Sequence, residues 1–124
     1  MGVAWLVLFH DEFEPEVDAL PAVVADELLA NAKLLAQFGP RLGRPRIDTL
    51  KGSRHANMKE LRFDAAGGVW RVAFAFDPKR HAILLVAGDK AGVGQKHLYR
   101  QLIAKADARF TGHLTALKKK GSKP

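Results

Sequence analysis

The sequence predicts an α+β domain with an N-terminal strand, one or two helices, a three-strand antiparallel meander and a C-terminal helix, in that order. Three observations lead there. Residues 14–38 and 95–117 place apolar side chains at three- and four-residue steps, the period of a helix with one buried face. Between them, residues 57–64, 69–76 and 82–87 form short apolar runs separated by turn compositions. A chain of 124 residues that is 48% hydrophobic and 27% charged also suits a single core.

The first element is residues 3–9, an almost unbroken run of Val, Ala, Trp, Leu and Phe that reads as a strand covered on both faces. It ends at the polar His10-Asp11-Glu12. In residues 14–38, Val17, Leu20, Val24, Leu28 and Leu35 lie on one stripe, with Asn31 filling one of its positions. Pro21 fits a first helical turn, so the segment is one helix or two, and Gly39-Pro40 stops it. Residues 39–52 are rich in Gly, Pro and Arg and read as a loop with Arg41, Arg44 and Arg46 in water.

In the first meander strand, Leu61 and Phe63 share a face with Lys59, and Glu60 and Arg62 lie together on the other. In the second, Trp70, Val72, Phe74 and Phe76 share a face, while Arg71 lies opposite with Val69, Ala73 and Ala75, set over small neighbours. The last helix carries Leu98, Leu102, Ala106, Phe110, Leu114 and Leu117 on its buried stripe, with Lys96, Arg100, Lys105 and Arg109 mostly off it. Lys118-Lys119-Lys120 and the end of the chain are expected to fray, so residues 1–117 form the domain and residues 118–124 a basic tail.

Charge divides the chain unevenly. Residues 1–40 hold seven acidic side chains against Lys33 alone, a charge of −6, and residues 41–124 hold 19 Lys or Arg against six acidic groups, a charge of +13. A basic part of this size points to a polyanionic partner. The absence of cysteine excludes a disulfide framework, a thiolate metal site and a cysteine nucleophile, and is compatible with a reducing cytoplasm. Five histidines without i, i+4 spacing make no zinc pattern, so neither metal nor cofactor is expected. Gly92-Val93-Gly94 lacks both the lysine of a phosphate-binding loop and the dinucleotide pattern, and reads as a flexible loop. The apolar start has no basic flank, is far short of the roughly 20 residues that span a bilayer, and lacks a myristoylation pattern, so no membrane association is expected.

Lys51, Arg54, His55, Lys59, Glu60, Arg62, Arg71, Arg80, His81 and Lys90 punctuate the strand-like runs, which makes a cationic surface on a sheet with groups able to move protons. Such a surface suits the binding and cleavage of a phosphodiester backbone.

Lys59-Glu60-Leu61-Arg62, Val69-Trp70-Arg71-Val72 and Gly88-Asp89-Lys90, in this order before a final helix, resemble the signature blocks of RelE/HigB-type toxins, in particular the phage-derived RelE-like branch. Leu50-Lys51-Gly52 and Ala106-Asp107 also fit, and the resemblance covers residues 13–117. It implies a RelE-like fold and the toxin of a type II toxin–antitoxin system, a cytoplasmic endoribonuclease that cleaves mRNA, often on the ribosome. It also implies a silencing antitoxin partner, acidic or of helix-turn-helix type. The reaction needs no metal. The RNA's own 2′-hydroxyl attacks the adjacent phosphate, so the protein must orient it, take a proton, stabilise phosphoryl charge and protonate the leaving oxygen.

By the resemblance, Arg71 and Lys90 match the phosphate-stabilising positions. Glu60 departs from the lysine of RelE itself and matches the glutamate that some relatives use as a base, so it is either base or the brace of Arg62. His97 and Tyr99 are the candidate general acids, with His55 and His81 behind them. Lys51, Arg54, His55, Lys59, Arg62, Arg80 and Lys96 are the candidate RNA contacts. The same fold serves ParE-type toxins, which bind gyrase rather than cut RNA, and inactive modules that bind DNA or protein, and these readings stay open.

Overall fold

In the computed structural model, which describes residues 5–89 and 95–121, a five-stranded sheet separates two helical layers. The elements in chain order are β1 (Leu6–Phe9), α1 (Glu14–Asp18), α2 (Ala22–Phe38), a 3-10 turn (Gly39–Arg41), β2 (Ile47–Thr49), β3 (Lys59–Ala65), β4 (Gly68–Phe76), β5 (His81–Asp89) and α3 (Gln95–Gly121). The sheet order is β1-β5-β4-β3-β2, with β1 parallel to β5 and the other pairs antiparallel. The α+β architecture and the β3-β4-β5 meander are those read from the sequence.

Strand alternation sorts the core into two layers. Leu61, Phe63, Val72, Phe74, Ala82 and Leu84 meet Phe13 and the α2 residues Val24, Leu28, Ala32 and Leu35 on one face. Ala73, Ala75, Ile83, Leu85 and Val86 meet Leu102, Ala106 and Phe110 of α3 on the other, with Leu50 and Met58. Each large apolar side chain fully buried here contributes about 1.5–3 kcal/mol.

Residues 14–38 form two helices. Pro21 is extended (ψ 144°) at the head of α2, and its carbonyl accepts from the Val24 and Ala25 amides. Asn31 is tolerated on the buried stripe because its Nδ2 donates to the Glu27 carbonyl at 2.8 Å. At Gly39 the backbone turns to φ +56°, and a Cβ there would collide with the Trp5 ring.

Several elements differ from the sequence reading. β1 is an edge strand buried on one face only: Val7 and Phe9 pack on the α2-side core, while Leu6 is 54% and Leu8 36% exposed because α3 packs on β5 and β4 instead. Residues 3 and 4 lie outside the described residues. The segment read as a loop contains β2, which its own sequence does not signal. β3 supplies its partners, and the ladder is flanked by bonds from Arg62 N to the Arg46 carbonyl (2.7 Å) and from Leu50 N to the Met58 carbonyl (3.0 Å). Arg41, Arg44 and Arg46 are exposed, as expected.

Asn57 precedes β3 rather than joining it, and donates Nδ2 to the Phe76 carbonyl. α3 continues through the lysine run to Gly121 instead of fraying, with cations at the negative end of the helix dipole. Arg109 is buried rather than solvated. The β4–β5 register pairs Ala73 with Val86 and Phe74 with Leu84, so Leu85 bulges. Its carbonyl accepts from Arg109 Nη1 at 2.7 Å, while Arg109 Nη1 and Nη2 also donate to Glu16 Oε1 and Oε2 at 2.9 and 2.6 Å. No helix among the described residues is long and apolar enough to cross a membrane.

Candidate functional site

The centre of the site follows from register. Glu60 and Arg62 share the α3 face of β3, and β4 places Arg71 directly opposite Arg62. Two guanidinium groups opposed across strands repel unless an anion stands with them. Glu60 is that anion: its Oε2 accepts from Arg62 Nε at 3.0 Å and Nη2 at 2.7 Å, and its Oε1 lies 3.5 Å from Arg71 Nε. Ala73 stands opposite Glu60 and Gly88 opposite Arg71, and a Cβ at Gly88 would press on Leu98 of α3 at 3.2 Å.

Tyr99, near the start of α3, closes the arrangement. Its hydroxyl donates to Glu60 Oε1 at 3.0 Å, and its ring centroid is 5.2 Å from the Arg71 guanidinium carbon. Burial, then the hydrogen bond to the Glu60 carboxylate, raise the Tyr99 pKa against the opposing pull of Arg71 and Arg62, so the phenol keeps its proton at neutral pH. The hydrogen bond to Glu60 likewise raises Arg62.

Arg71 is 5% exposed, and neither its Nε nor its Nη1 has a hydrogen-bond partner among the described residues. A buried cation short of hydrogen-bond acceptors is costly, and here the nearby Glu60 carboxylate and the Tyr99 ring are what offset its charge. Beside this group opens a cleft of about 320 Å³ lined by Asp48, Thr49, Leu50, Lys51, Glu60, Arg62 and Tyr99. The loop carrying Lys51 is pinned to α3 by Asp107, which accepts from Ser53 Oγ and, at 3.0 Å, from the Arg54 amide.

Of the sequence candidates, the structure brings Glu60, Arg62, Arg71, Tyr99 and Lys51 together. Lys59 lies on the opposite face of β3, with Leu61 and Phe63. Arg54 is exposed with Nε 3.9 Å from Asp107, and His55 bonds Thr111 at 2.9 Å. Arg80 sits in the β4–β5 turn, 4.9 Å above the Trp5 ring, and His81 is bound to Asp77 at that same end of the sheet. Lys96 and His97 are exposed on the first turn of α3. Lys90 and Gly92-Val93-Gly94 lie outside the described residues. Asp48 and Thr49 were missed because a three-residue strand leaves no period to read. Asp107 fitted the family pattern but suggested no role.

A second polar cluster, also unread in the sequence, surrounds Asp77, whose side chain is 0% exposed. Its Oδ1 accepts from the Lys79 and His81 amides, both at 2.9 Å, and its Oδ2 meets His113 Nε2 at 2.8 Å and His81 Nδ1 at 3.2 Å. Burial pushes its pKa up, but the hydrogen bonds from His113 and from the His81 and Lys79 amides outweigh this and hold it below 3.8. The stability that Asp77 supplies is therefore present above pH about 3.8 and lost as pH falls through the lower folded value. Asp77→Asn is expected to cost about 2 kcal/mol at pH 7 and to flatten the loss of stability between pH 4 and pH 2. Thermal melts across that range check both. Among the described residues, no three His, Asp or Glu groups are placed to hold a metal ion.

The profile of the phage-derived Gp49-like protein family matches residues 15–111. The Mycobacterium tuberculosis protein named "Putative toxin HigB2" is 48% identical over 88 residues, which are 70% of this chain and 43% of that protein. "Putative toxin HigB3" of the same organism is 53% identical over 83 residues, 67% of this chain and 70% of that protein. The match thus spans less than half the length of the first relative and more than two thirds of the second. A mutant of the Escherichia coli toxin RelE in its free state superimposes with a TM-score of 0.58 over 82% of this chain and 96% of that one, at 14% identity. The fold is RelE-like, as the signature blocks led us to expect.

Proposed function

We propose, since this chain belongs to the phage-derived Gp49-like family and has HigB-type proteins among its relatives, that it is the toxin of a type II toxin–antitoxin pair and cleaves messenger RNA without a metal ion. One observation carries this reading: Arg71 is buried beside Glu60, Arg62 and Tyr99, which line the cleft, and its Nε and Nη1 have no hydrogen-bond partner among the described residues. The 3.5 Å ion pair with Glu60 leaves the hydrogen-bonding capacity of Nε and Nη1 unused, and a phosphoryl group fits it.

In the proposed reaction Lys51 and Arg62 draw the phosphate into the cleft. Tyr99 shifts from Arg71, whose freed N–H groups bind the phosphoryl oxygens as charge builds on them. Glu60 exchanges its bond with Tyr99 for the substrate 2′-hydroxyl and takes its proton. The 2′-oxygen–phosphorus bond forms and the phosphorus–5′-oxygen bond breaks. The Tyr99 hydroxyl protonates the leaving oxygen, giving a 2′,3′-cyclic phosphate and a 5′-hydroxyl. Lys90 serves by resemblance as a second cation. Action on ribosome-associated mRNA in the cytoplasm and silencing by a co-encoded antitoxin belong to the same proposal.

The test is induction of the chain without an antitoxin, followed by mapping of transcript ends. New in-frame mRNA ends that vanish in Arg71→Ala are expected. Growth arrest with intact mRNA would sink the nuclease reading and favour a ParE-like protein-binding toxin.

A further inference from the structure

The cleft contains one charged group that the proposed reaction does not use. Asp48 on β2 stands directly opposite Glu60 in the antiparallel register, so the two carboxylates share a face. Like charges so placed repel. The Asp48 side chain is 28% exposed, and its Oδ1 accepts from the Thr49 amide at 2.8 Å and from the exposed Arg44 at 3.4 Å. No hydrogen bond reaches Oδ2 among the described residues. A carboxylate repels phosphate, so in a cleft that also holds Lys51 and Arg62 it has nothing to offer the phosphate groups of an RNA. It can offer acceptors to the N–H groups of a base.

The four bases present different edges to a carboxylate. Guanine carries two adjacent donors, N1–H and the N2 amino group, which match the two carboxylate oxygens. Adenine and cytosine bring one amino group beside a ring nitrogen that repels the second oxygen. Uracil has a single N–H between two carbonyls. The Tyr99 ring lines the same cleft and supplies a flat surface against which an unstacked base can lie.

We propose that Asp48 is a specificity-determining residue, and that it reads the Watson–Crick edge of a guanine next to the phosphate held between Arg62 and Arg71. The inference rests on the RNA-cleaving function proposed above. A base held at Asp48 lies one cross-strand step from Glu60, so recognition and reaction share the two central positions of the β2–β3 pair.

The experiment measures binding of short single-stranded RNAs, uridine-rich and at low salt, that differ at one central nucleotide: guanine, inosine, adenine, cytosine or uracil. The central nucleotide carries 2′-deoxyribose so that nothing is cut there, and all-ribose versions are assayed for cleavage in parallel. Guanine is expected to bind about 10- to 100-fold tighter than the other bases, with inosine, which lacks the N2 amino group, falling towards them. Asp48→Asn, checked for an unchanged melting temperature, is expected to lose that preference, and Asp48→Ala likewise. Equal binding of all five RNAs, no binding of any, or a guanine preference that survives both substitutions overturns the inference. Guanine-selective binding without any cleavage leaves Asp48 standing and removes the nuclease reading. Cleavage without base preference does the reverse.

Discussion

Arg71→Lys is expected to reduce RNA cleavage at least about 100-fold, and Arg71→Met further, while neither lowers the melting temperature. The activity follows from what a single charged donor aimed at developing phosphoryl charge is worth, about 10²- to 10³-fold. Lysine keeps the charge but lacks the planar fork whose Nε and Nη1 stand unbonded. The stability half of the prediction separates function from scaffolding. Arg71 is a desolvated cation, and its Nε lies 3.5 Å from Glu60, while Arg62 and Tyr99 already hold both oxygens of that carboxylate. Replacing it with an apolar side chain of similar length is expected to be neutral or to stabilise by about 1–3 kcal/mol. Reporter-mRNA cleavage and thermal melts of the same preparations check the pair. An Arg71→Met protein that loses stability in step with activity would make Arg71 a brace of the sheet. Glu60→Gln, in the same assay, divides base from brace: a base loses cleavage with RNA affinity kept, and a brace loses both.

Arg109→Ala is expected to destabilise the fold by about 3 kcal/mol, lowering the melting temperature by about 10 °C. The side chain is 9% exposed and joins three elements, donating to Glu16 of α1, to the Leu85 carbonyl of β5 and from its own place on α3. Its removal leaves the bulged carbonyl without its donor and an acidic group without its cation. Glu16 is 38% exposed and recovers water on losing its partner, so Glu16→Gln is expected to cost less, about 1 kcal/mol. The hydrogen bond from Arg109, opposed by partial burial, holds the Glu16 pKa below 4.5. The pair's contribution is therefore full above pH about 4.5 and fades as pH falls through the lower folded value. Chemical denaturation of both single variants and the double variant at pH 7 and pH 3 measures it. A cost below about 0.5 kcal/mol for Arg109→Ala would reduce this contact to surface decoration.

Local order along the chain was enough to place the helices, the meander and the pairing of Glu60 with Arg62. Periods of 3.6 and 2 tie each side chain to a face whatever it packs against. The same alternation put Arg71 over Ala73 and Ala75, and the signature blocks pointed to the family to which the chain belongs. What lay beyond reach depended on partners distant in sequence. β2 has only three residues, so Asp48 became a neighbour of Glu60 only through the register with β3. Tyr99 reaches Glu60 across 39 residues and Arg109 reaches Glu16 across 93, distances over which no local period carries information. Arg109 and Asp107 look like ordinary surface charges on a helix until a bulged carbonyl and a loop are laid against them. Periodicity decides which way a side chain points, and only the packed sheet decides what it meets there.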